Sequence, residues 1–475
     1  MTFTKHIAIL GAGPGGYVAA IRAAQLGARV TVVEQQALGG VCLNWGCIPS
    51  KALLSVVELG DKVKRAGPLG LQISGPVTYD LPQMVARKNQ VVAGLVKGIA
   101  TLFKSWNIEH IEGTGAIQDR QSVHVTLKNG TEQSIKADAI VVATGSSWPN
   151  LPQYPIDGTQ LLTSQQLLDL EYIPPRLLII GGGVEGCEFA SLYSGFGTKV
   201  TVVELMERIL PLEDEEISST MTRELKKRNV AVLTGTTVEQ FDRSTTTVTA
   251  RLKDGTSLEV EKLLVSVGRG FNSRGIGLER VAIQTGRRGE IPVNERMETT
   301  TPGIYAIGDV TGKAMLAHVA SAQGKIAVEN ILGHPASINY DVIPVGIFTL
   351  PEIGRVGLTE SQARDNAERG NDPKVSLRIG RFRYAALGKA QAIGETTGLC
   401  KVIAEVPSGK ILGVHMLGAH AADLIHEAAL AMHLGATVPQ VAKMIHAHPT
   451  LAEGMMEAFE DVDGTAIHHI GKRER

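Results

Sequence analysis

A chain of 475 residues, 43% hydrophobic and 20% charged, is too long for one core and divides into roughly two to four domains. Its 47 Lys and Arg against 48 Asp and Glu give no electrostatic case for a nucleic acid or an acidic membrane surface. Four cysteines do not make a secreted disulfide framework, and no apolar run reaches the roughly 18 residues of a membrane span. With no signal peptide before the first strand, the expected compartment is reducing: the cytoplasm by preference, or an organelle matrix.

The first strand, Ile7 to Leu10, runs into Gly11-Ala12-Gly13-Pro14-Gly15-Gly16, a helical pattern to Leu26, and a second strand, Val30 to Val33, ending on Glu34. This is a G-x-G-x-x-G fingerprint in its full strand–turn–helix–strand setting. Gly11, Gly13 and Gly16 let the backbone approach a pyrophosphate at the helix N-terminus, and Glu34 is placed to accept from ribose hydroxyls.

Gly39 to Lys51, GGVCLNWGCIPSK, holds Cys42 and Cys47 with four residues between them. Pro49 suits a first helical turn, so Cys47 lies near a helix N-terminus, with Lys51 one turn on. Both favour a thiolate, and a pair so placed points to redox chemistry. The alternatives are an inert buried pair or half of a zinc site. Zinc needs two more ligands, and Cys187 and Cys400 stand alone and far off. No metal is expected.

Helical patterns follow over Leu53 to Lys64 and Gln83 to Phe103. Strands then run over Glu109 to Ala116, Ser122 to Leu127 and Glu132 to Ile135, with a hairpin turn at Asn129-Gly130. Ala139 to Val142 ends in Ala143-Thr144-Gly145. The next region repeats the first. Leu177 to Ile180 leads into Gly181-Gly182-Gly183-Val184-Glu185-Gly186, a helix to about Tyr193, and Val200 to Val203 ending on Glu204. From Gly16 to Glu34 and from Gly186 to Glu204 the spacing is the same, 18 positions. The second copy has its own hairpin turn at Asp254-Gly255 and its own strand, Leu263 to Val267, ending in Gly268-Arg269. The first copy's extra length holds the cysteine pair, which therefore belongs to the first nucleotide's site. A carboxylate at Glu204 pairs with a 2′-hydroxyl and repels a 2′-phosphate, so the second site favours NAD over NADP.

A strand then ends at Gly308-Asp309, where the carboxylate can reach a ligand hydroxyl or cap a helix; Leu316 to Leu332 is helical. Strands at Lys374 to Ile379, Leu399 to Glu405 and Ile411 to Leu417 precede helices at Ala421 to Leu434 and Val438 to Met444. In His446-Ala447-His448-Pro449-Thr450-Leu451-Ala452-Glu453, a helix opening at Pro449-Thr450 sets Glu453 about one turn past His448, where a carboxylate fixes an imidazole tautomer. The alternative is a histidine on a solvated turn. His446 lacks the further ligands of a metal site, and His426 and His433 suit packing or an interface.

These pieces resemble, over the whole chain, the pyridine nucleotide–disulfide oxidoreductases, and within them the branch that oxidises dihydrolipoamide. The matching motifs are GG-x-C-L-N-x-G-C-I-P-S-K, T-x-x-x-x-Y-A-x-G-D and H-x-H-P-T-x-x-E. The resemblance implies an α/β fold of two Rossmann-like dinucleotide-binding domains, for FAD and NAD, plus a C-terminal α+β dimerisation domain. The expected divisions are 1–150 for FAD and the redox disulfide, 151–270 for NAD, 271–345 completing the FAD site, and 346–475 for the dimer interface. It implies a Cys42–Cys47 disulfide, with Cys47 against the flavin and Cys42 exchanging with substrate. It implies His448 as base, oriented by Glu453 and supplied across an obligatory homodimer. Lys51 and Glu188 match a pair beside the flavin, and Asp309 a contact to the FAD ribityl chain. Gly115, Thr144, Gly145 and Ala317 fall on the FAD side, and Gly268 on the NAD side. The partners implied are lipoyl-bearing subunits of 2-oxo acid dehydrogenase complexes or the glycine cleavage system, docking on folded surface because no lipoyl segment precedes Thr4. Three positions depart from the pattern. Val41 stands where Thr is usual and bears on one FAD hydrogen bond; Trp45 replaces a small residue. Glu185 replaces an aliphatic, either altering nicotinamide access or facing solvent. Rival readings keep the scaffold: a reductase of another disulfide such as glutathione, against which Glu204 argues, a mercuric-type reductase, which would carry a C-terminal cysteine pair absent from Ala466 to Arg475, or a non-catalytic flavin-binding subunit.

Overall fold

The computed structural model describes residues 4–370 and 376–469. Its first sheet has seven strands in the order Ile304–Ala306, Ala139–Val142, His6–Leu10, Arg29–Glu34, Glu109–Asp119, Ser122–Leu127, Glu132–Lys136. The first five pair in parallel and the last two add antiparallel. The inner strands His6–Leu10 and Ala139–Val142 read as nearly continuous apolar runs because both faces are covered, and Ile7, Ala8 and Ile9 are fully buried. Ile304–Ala306 joins this sheet beside Ala139–Val142, returning the chain to the first unit after the second is built.

The second sheet is parallel throughout, in the order Ala231–Leu233, Lys199–Val203, Arg176–Ile180, Lys262–Val265, Leu161–Leu162. A three-stranded antiparallel meander, Val238–Arg243, Val248–Leu252 and Ser257–Val260, accompanies it. A third sheet of five antiparallel strands, from Val345–Ile347 to Ser376–Arg383, carries the C-terminal helices on its face.

The internal repeat holds to the level of single atoms. Gly11 and Gly181 have φ of 104° and 105°, a region that favours glycine. Their N–H groups donate to Val33 O and Val203 O, both at 2.8 Å. A Cβ on Gly16 would stand 2.0 Å from Gly11 O, and one on Gly186 1.9 Å from Gly181 O. The third glycine of each turn therefore lets the helix close on the strand. The hairpins match too. Gly130 N–H donates to Leu127 O and Gly255 N–H to Leu252 O, while Asn129 and Asp254 accept from the residues two on. Only the glycine of each pair has positive φ, so these are not the two-residue primed turns that Asn-Gly suggests.

The structure corrects several expectations. The helix expected to open near Pro49 begins at Cys47, which does stand at its N-terminus, and Gly40–Trp45 is a further short helix, the two broken at Gly46. That run, Gly40–Lys64, has a mean hydropathy of 1.3 over its most apolar stretch, long and apolar enough for a membrane span by composition, against the expectation of none. Leu53, Leu54 and Val57 bury it in the core with Phe189 and Leu192 of the second unit. The strand before Asp309 ends at Ala306, and Asp309 lies in a 3-10 turn, Gly308–Thr311. The last helix begins at Glu453 rather than Pro449. Of the strand expected from Lys374, the described part is Ser376–Arg383; Lys374 and the end of the chain from Ile470 lie outside the described residues.

Candidate active site

Cys42 rides the short helix and Cys47 is the first residue of the long one, so the break at Gly46 brings the two sulfurs together. All four cysteines are free thiols in the structure, and the expected Cys42–Cys47 bridge is not formed in it. The Cys42 thiol donates to Cys47, which holds Cys47 down to about 7 against the opposing effect of burial; the Lys51 charge helps and Glu188 opposes. The same hydrogen bond, with burial, drives Cys42 far up. The pair thus keeps one proton on Cys42 and releases the other from Cys47 near neutrality. Cys187 and Cys400 are fully buried and their thiols pushed up by desolvation, as inert cysteines should be.

Lys51 Nζ lies 2.6 Å from Glu188 Oε2, and Glu188 Oε1 accepts from Phe348 N–H at 2.9 Å. Three segments far apart in sequence therefore meet beside Cys47. Ser146 was not singled out in the sequence, yet it joins two groups that were. Its Oγ donates to Asp309 Oδ2 at 2.5 Å and receives Arg269 Nε at 2.7 Å. The internal repeat carried the signal, since Gly145-Ser146 and Gly268-Arg269 occupy matching strand ends. Thr144 Oγ donates to Asn272 O at 2.7 Å, and Asn272 Nδ2 returns a bond to Thr144 O at 2.9 Å.

One cleft of about 1900 Å³ unites these groups. Usual small-ligand pockets hold roughly 300–1,000 Å³, so this space suits two long ligands. Both fingerprint turns line it, at Gly11, Gly13 and Gly183, as do Glu34, Cys42, Cys47, Lys51, Gly115, Glu188, Gly268, Asp309 and Ala317. The departures Val41, Trp45 and Glu185 line it as well. Glu185 does not turn to solvent, since its Oε2 accepts from Ser266 Oγ at 2.8 Å. Gly16, Gly181 and Gly186 serve the packing described above and do not face the cleft.

The donor set fits two dinucleotides. Each fingerprint helix begins at a glycine with no side-chain cap, so its first N–H groups are free for phosphate. On the first side, glycine faces glycine: a Cβ on Gly40 would stand 2.6 Å from Gly13 Cα. Glu34 accepts from Ala12 and Gln36 N–H, both at 2.7 Å; Glu204 accepts from Gly182 and Met206 N–H at 2.6 and 2.7 Å. Each carboxylate is locked in place, and Glu34, on the cleft wall, keeps lone pairs for a ribose. Glu204 is itself buried and lies behind the cleft wall.

His448 and Glu453 stand elsewhere on the chain. His448 Nδ1 lies 2.8 Å from Glu453 Oε1, while Glu453 Oε2 accepts from Thr450 N–H at 2.8 Å. Burial pushes the Glu453 carboxyl up, but these two bonds outweigh it and hold the group below its ordinary range. The imidazole is largely exposed and does not line its own chain's cleft. Glu453 also heads an acidic stripe on its helix, with Glu457 and Asp461 following at four-residue steps. His468 Nδ1 pairs with Glu457 Oε1 at 2.5 Å and His469 Nδ1 with Asp461 Oδ1 at 3.0 Å, fastening the chain's last described turn to the helix. His446 bonds Glu427 at 2.8 Å and is raised by that contact.

A buried ion cluster fixes the third sheet against the second unit. Lys401 Nζ lies 2.7 Å from Asp214 and 2.8 Å from Glu360, and Arg355 Nε lies 2.8 Å from Glu213. His415, fully buried beside them, donates through Nε2–H to Leu358 O at 2.8 Å and has no partner at Nδ1.

The chain matches the pyridine nucleotide-disulphide oxidoreductase family over residues 5–324 and that family's dimerisation domain over 343–459. A dihydrolipoyl dehydrogenase of Bacillus subtilis is 42% identical over 482 aligned positions, covering 98% of this chain and 100% of the relative. The mitochondrial dihydrolipoyl dehydrogenase 1 of Arabidopsis thaliana is 39% identical, covering 98% and 91%. Among solved structures, LpdA from Mycobacterium tuberculosis superposes with a TM-score of 0.90 at 30% identity, covering 97% of this chain and 100% of that one.

Proposed function

The chain belongs to the pyridine nucleotide–disulphide oxidoreductase family, and from that premise we propose that it oxidises protein-bound dihydrolipoamide to lipoamide and reduces NAD+ to NADH. One observation carries the reading: Cys42 and Cys47, on two helices that meet at Gly46, open onto the same cleft as two dinucleotide turns. FAD on the first turn and NAD on the second are the cofactors of this family, and the protein acts as a homodimer through its dimerisation domain.

In the oxidised protein Cys42 and Cys47 form a disulfide. His448 of the partner subunit takes a proton from one thiol of dihydrolipoamide, with Glu453 of the partner subunit holding the imidazole at Nδ1. The substrate thiolate attacks Cys42 Sγ; the Cys42–Cys47 bond breaks and Cys47 leaves as a thiolate. The second substrate thiol attacks the substrate sulfur now bonded to Cys42, its proton passing to Cys42 Sγ as Sγ leaves, which releases lipoamide and leaves Cys42 a thiol and Cys47 a thiolate. Bound FAD supplies the two-electron relay between that reduced pair and NAD+. Lys51 stabilises the Cys47 thiolate, and Asp309, Thr144, Gly145, Gly115 and Ala317 form the wall that holds the FAD side. Glu204 locks the second turn for a 2′-hydroxyl, which supports NAD over NADP.

The lipoyl domains served are those of 2-oxo acid dehydrogenase complexes or the glycine cleavage system. The low-pKa thiol pair suits a reducing compartment, the cytoplasm or an organelle matrix. In this reading the chain divides near residues 150, 270 and 345. The test is NAD+ reduction by dihydrolipoamide run beside NADPH oxidation by oxidised glutathione. Activity in the first alone supports the reading. Activity in the second alone replaces the substrate, and silence in both makes the protein a flavin-binding subunit.

A further inference from the structure

Glu185 is the second residue of the helix Val184–Phe196, at the mouth of the second dinucleotide turn. A carboxylate there would ordinarily swing onto the helix's free N–H groups and compete with a pyrophosphate. It does not: the helix has no side-chain cap, and Glu185 Oε2 is held by Ser266 Oγ at the end of the neighbouring strand. The N–H groups stay free, and a negative charge is fixed on the cleft wall beside them.

The position of that charge along the ligand can be read from its neighbours. Glu204 marks the adenosine end of the second site and lies behind the wall, whereas Glu185 faces the cleft. Beyond Ser266, Arg269 reaches back through Ser146 to Asp309, bridging the second turn to the first unit. Burial lowers the Arg269 pKa, and the charges of Glu185, Asp309 and Cys47 all oppose that shift, so these groups share one electrostatic neighbourhood. Electrons that leave Cys47 cross the flavin held on the first turn, and the Lys51–Glu188 pair ties that part of the cleft to the helix carrying Glu185, so the nicotinamide end of the dinucleotide comes here. Lys51 is already paired with Glu188, and Arg269 is one cation against the charges of Asp309 and Glu185. Glu185 is thus one negative charge more than the usual aliphatic residue would leave.

The nicotinamide ring is a cation in NAD+ and neutral in NADH, so a fixed carboxylate beside it separates the two by charge alone. We propose that Glu185 is a specificity-determining residue that favours the cationic, oxidised nicotinamide over the neutral reduced one and thereby limits inhibition by the product NADH. This rests on the assignment of the second turn to NAD. One partly screened charge at the edge of a cleft is worth about tenfold in relative affinity.

The test is calorimetric titration of the FAD-loaded dimer with NAD+ and with tetrahydro-NAD, a neutral analogue that cannot transfer hydride. Glu185→Gln should weaken NAD+ about tenfold and leave the analogue within about twofold, with NADH inhibition strengthening in parallel. Glu185→Asp, which keeps the charge, should retain most of the preference. Flavin absorbance and melting temperature report whether each variant is folded. Equal weakening of both ligands, or no change in either, overturns the proposal. A wild-type protein that binds both dinucleotides but leaves dihydrolipoamide untouched overturns the substrate assignment instead, and the Glu185 comparison still decides its own question.

Discussion

Lys51 Nζ and Glu188 Oε2, 2.6 Å apart, join the helix that begins at Cys47 to the helix that begins at the second dinucleotide turn. Lys51 lowers the Cys47 pKa and Glu188 raises it. Lys51→Met should therefore move the thiolate transition above about 7, and Glu188→Gln should move it below. The pH dependence of iodoacetamide alkylation on the reduced protein measures both. Shifts in the same direction would remove the electrostatic account of the thiol.

Cys42 and Cys47 differ in their proton affinity and should differ in their phenotype. Cys42→Ser and Cys47→Ser should each keep bound FAD and abolish dihydrolipoamide turnover. Only the Cys42→Ser protein keeps a thiolate at position 47, so it alone should show long-wavelength thiolate-to-flavin absorbance. Full turnover in either variant would exclude the disulfide scheme.

His448→Gln should slow the thiol half-reaction by about 10²- to 10⁴-fold, the usual worth of a positioned base, and leave flavin reduction by NADH largely intact. Stopped-flow separates the halves. Because His448 does not line its own chain's cleft, a mixed dimer of His448→Gln and Cys47→Ser chains should regain activity at one of its two sites. Failure of both parents and of the mixture would place the base elsewhere.

Lys401 is 3% exposed at its side chain and sits between Asp214 and Glu360. Removing a buried ion while leaving its partners is strongly destabilising, so Lys401→Met should cost about 3–5 kcal/mol in denaturant unfolding. A loss below about 1 kcal/mol would mean that water reaches the cluster.

His415 is held neutral by burial, which lowers its pKa to about 4 from 6.5. The unfolded chain binds a proton that the folded chain refuses, so stability falls as pH drops below 6.5 and stops falling on this account near 4. The full effect is on the order of 3 kcal/mol, and His415→Gln should flatten it in denaturant titrations at pH 5 and 7.

The duplicated units were legible because glycine carries unusually direct information. Only a glycine fits Gly11 and Gly181 at positive φ, or Gly16 and Gly186 against a carbonyl, so the spacing marks the turn and the repeat marks the fold. Cys42 and Cys47 were legible from their spacing, but the helix enclosing them was not, since Gly46 reads as a loop residue and here only breaks it. Long-range polar contacts left no local trace. The repeat sets Ser146 and Arg269 at matching strand ends but does not reveal the link to Asp309, and nothing near Lys401 announces three carboxylates from two other segments. The orientation of Glu185 depended on Ser266, 81 residues away, and could not be settled from its own surroundings.

The single proton shared by Cys42 and Cys47 also shapes the driving force. Reducing the bridge takes up two protons at acidic pH and one above about 7, where Cys47 stays ionised. For a two-electron couple the midpoint potential therefore falls by about 59 mV per pH unit on the acid side and about 30 mV on the alkaline side. Cys42 stays protonated far into alkali, so one break separates the two slopes and no second follows. Alkalinity thus lowers the dithiol potential half as steeply above neutrality as below it, and there it falls in step with that of NAD+, whose reduction takes one proton for two electrons.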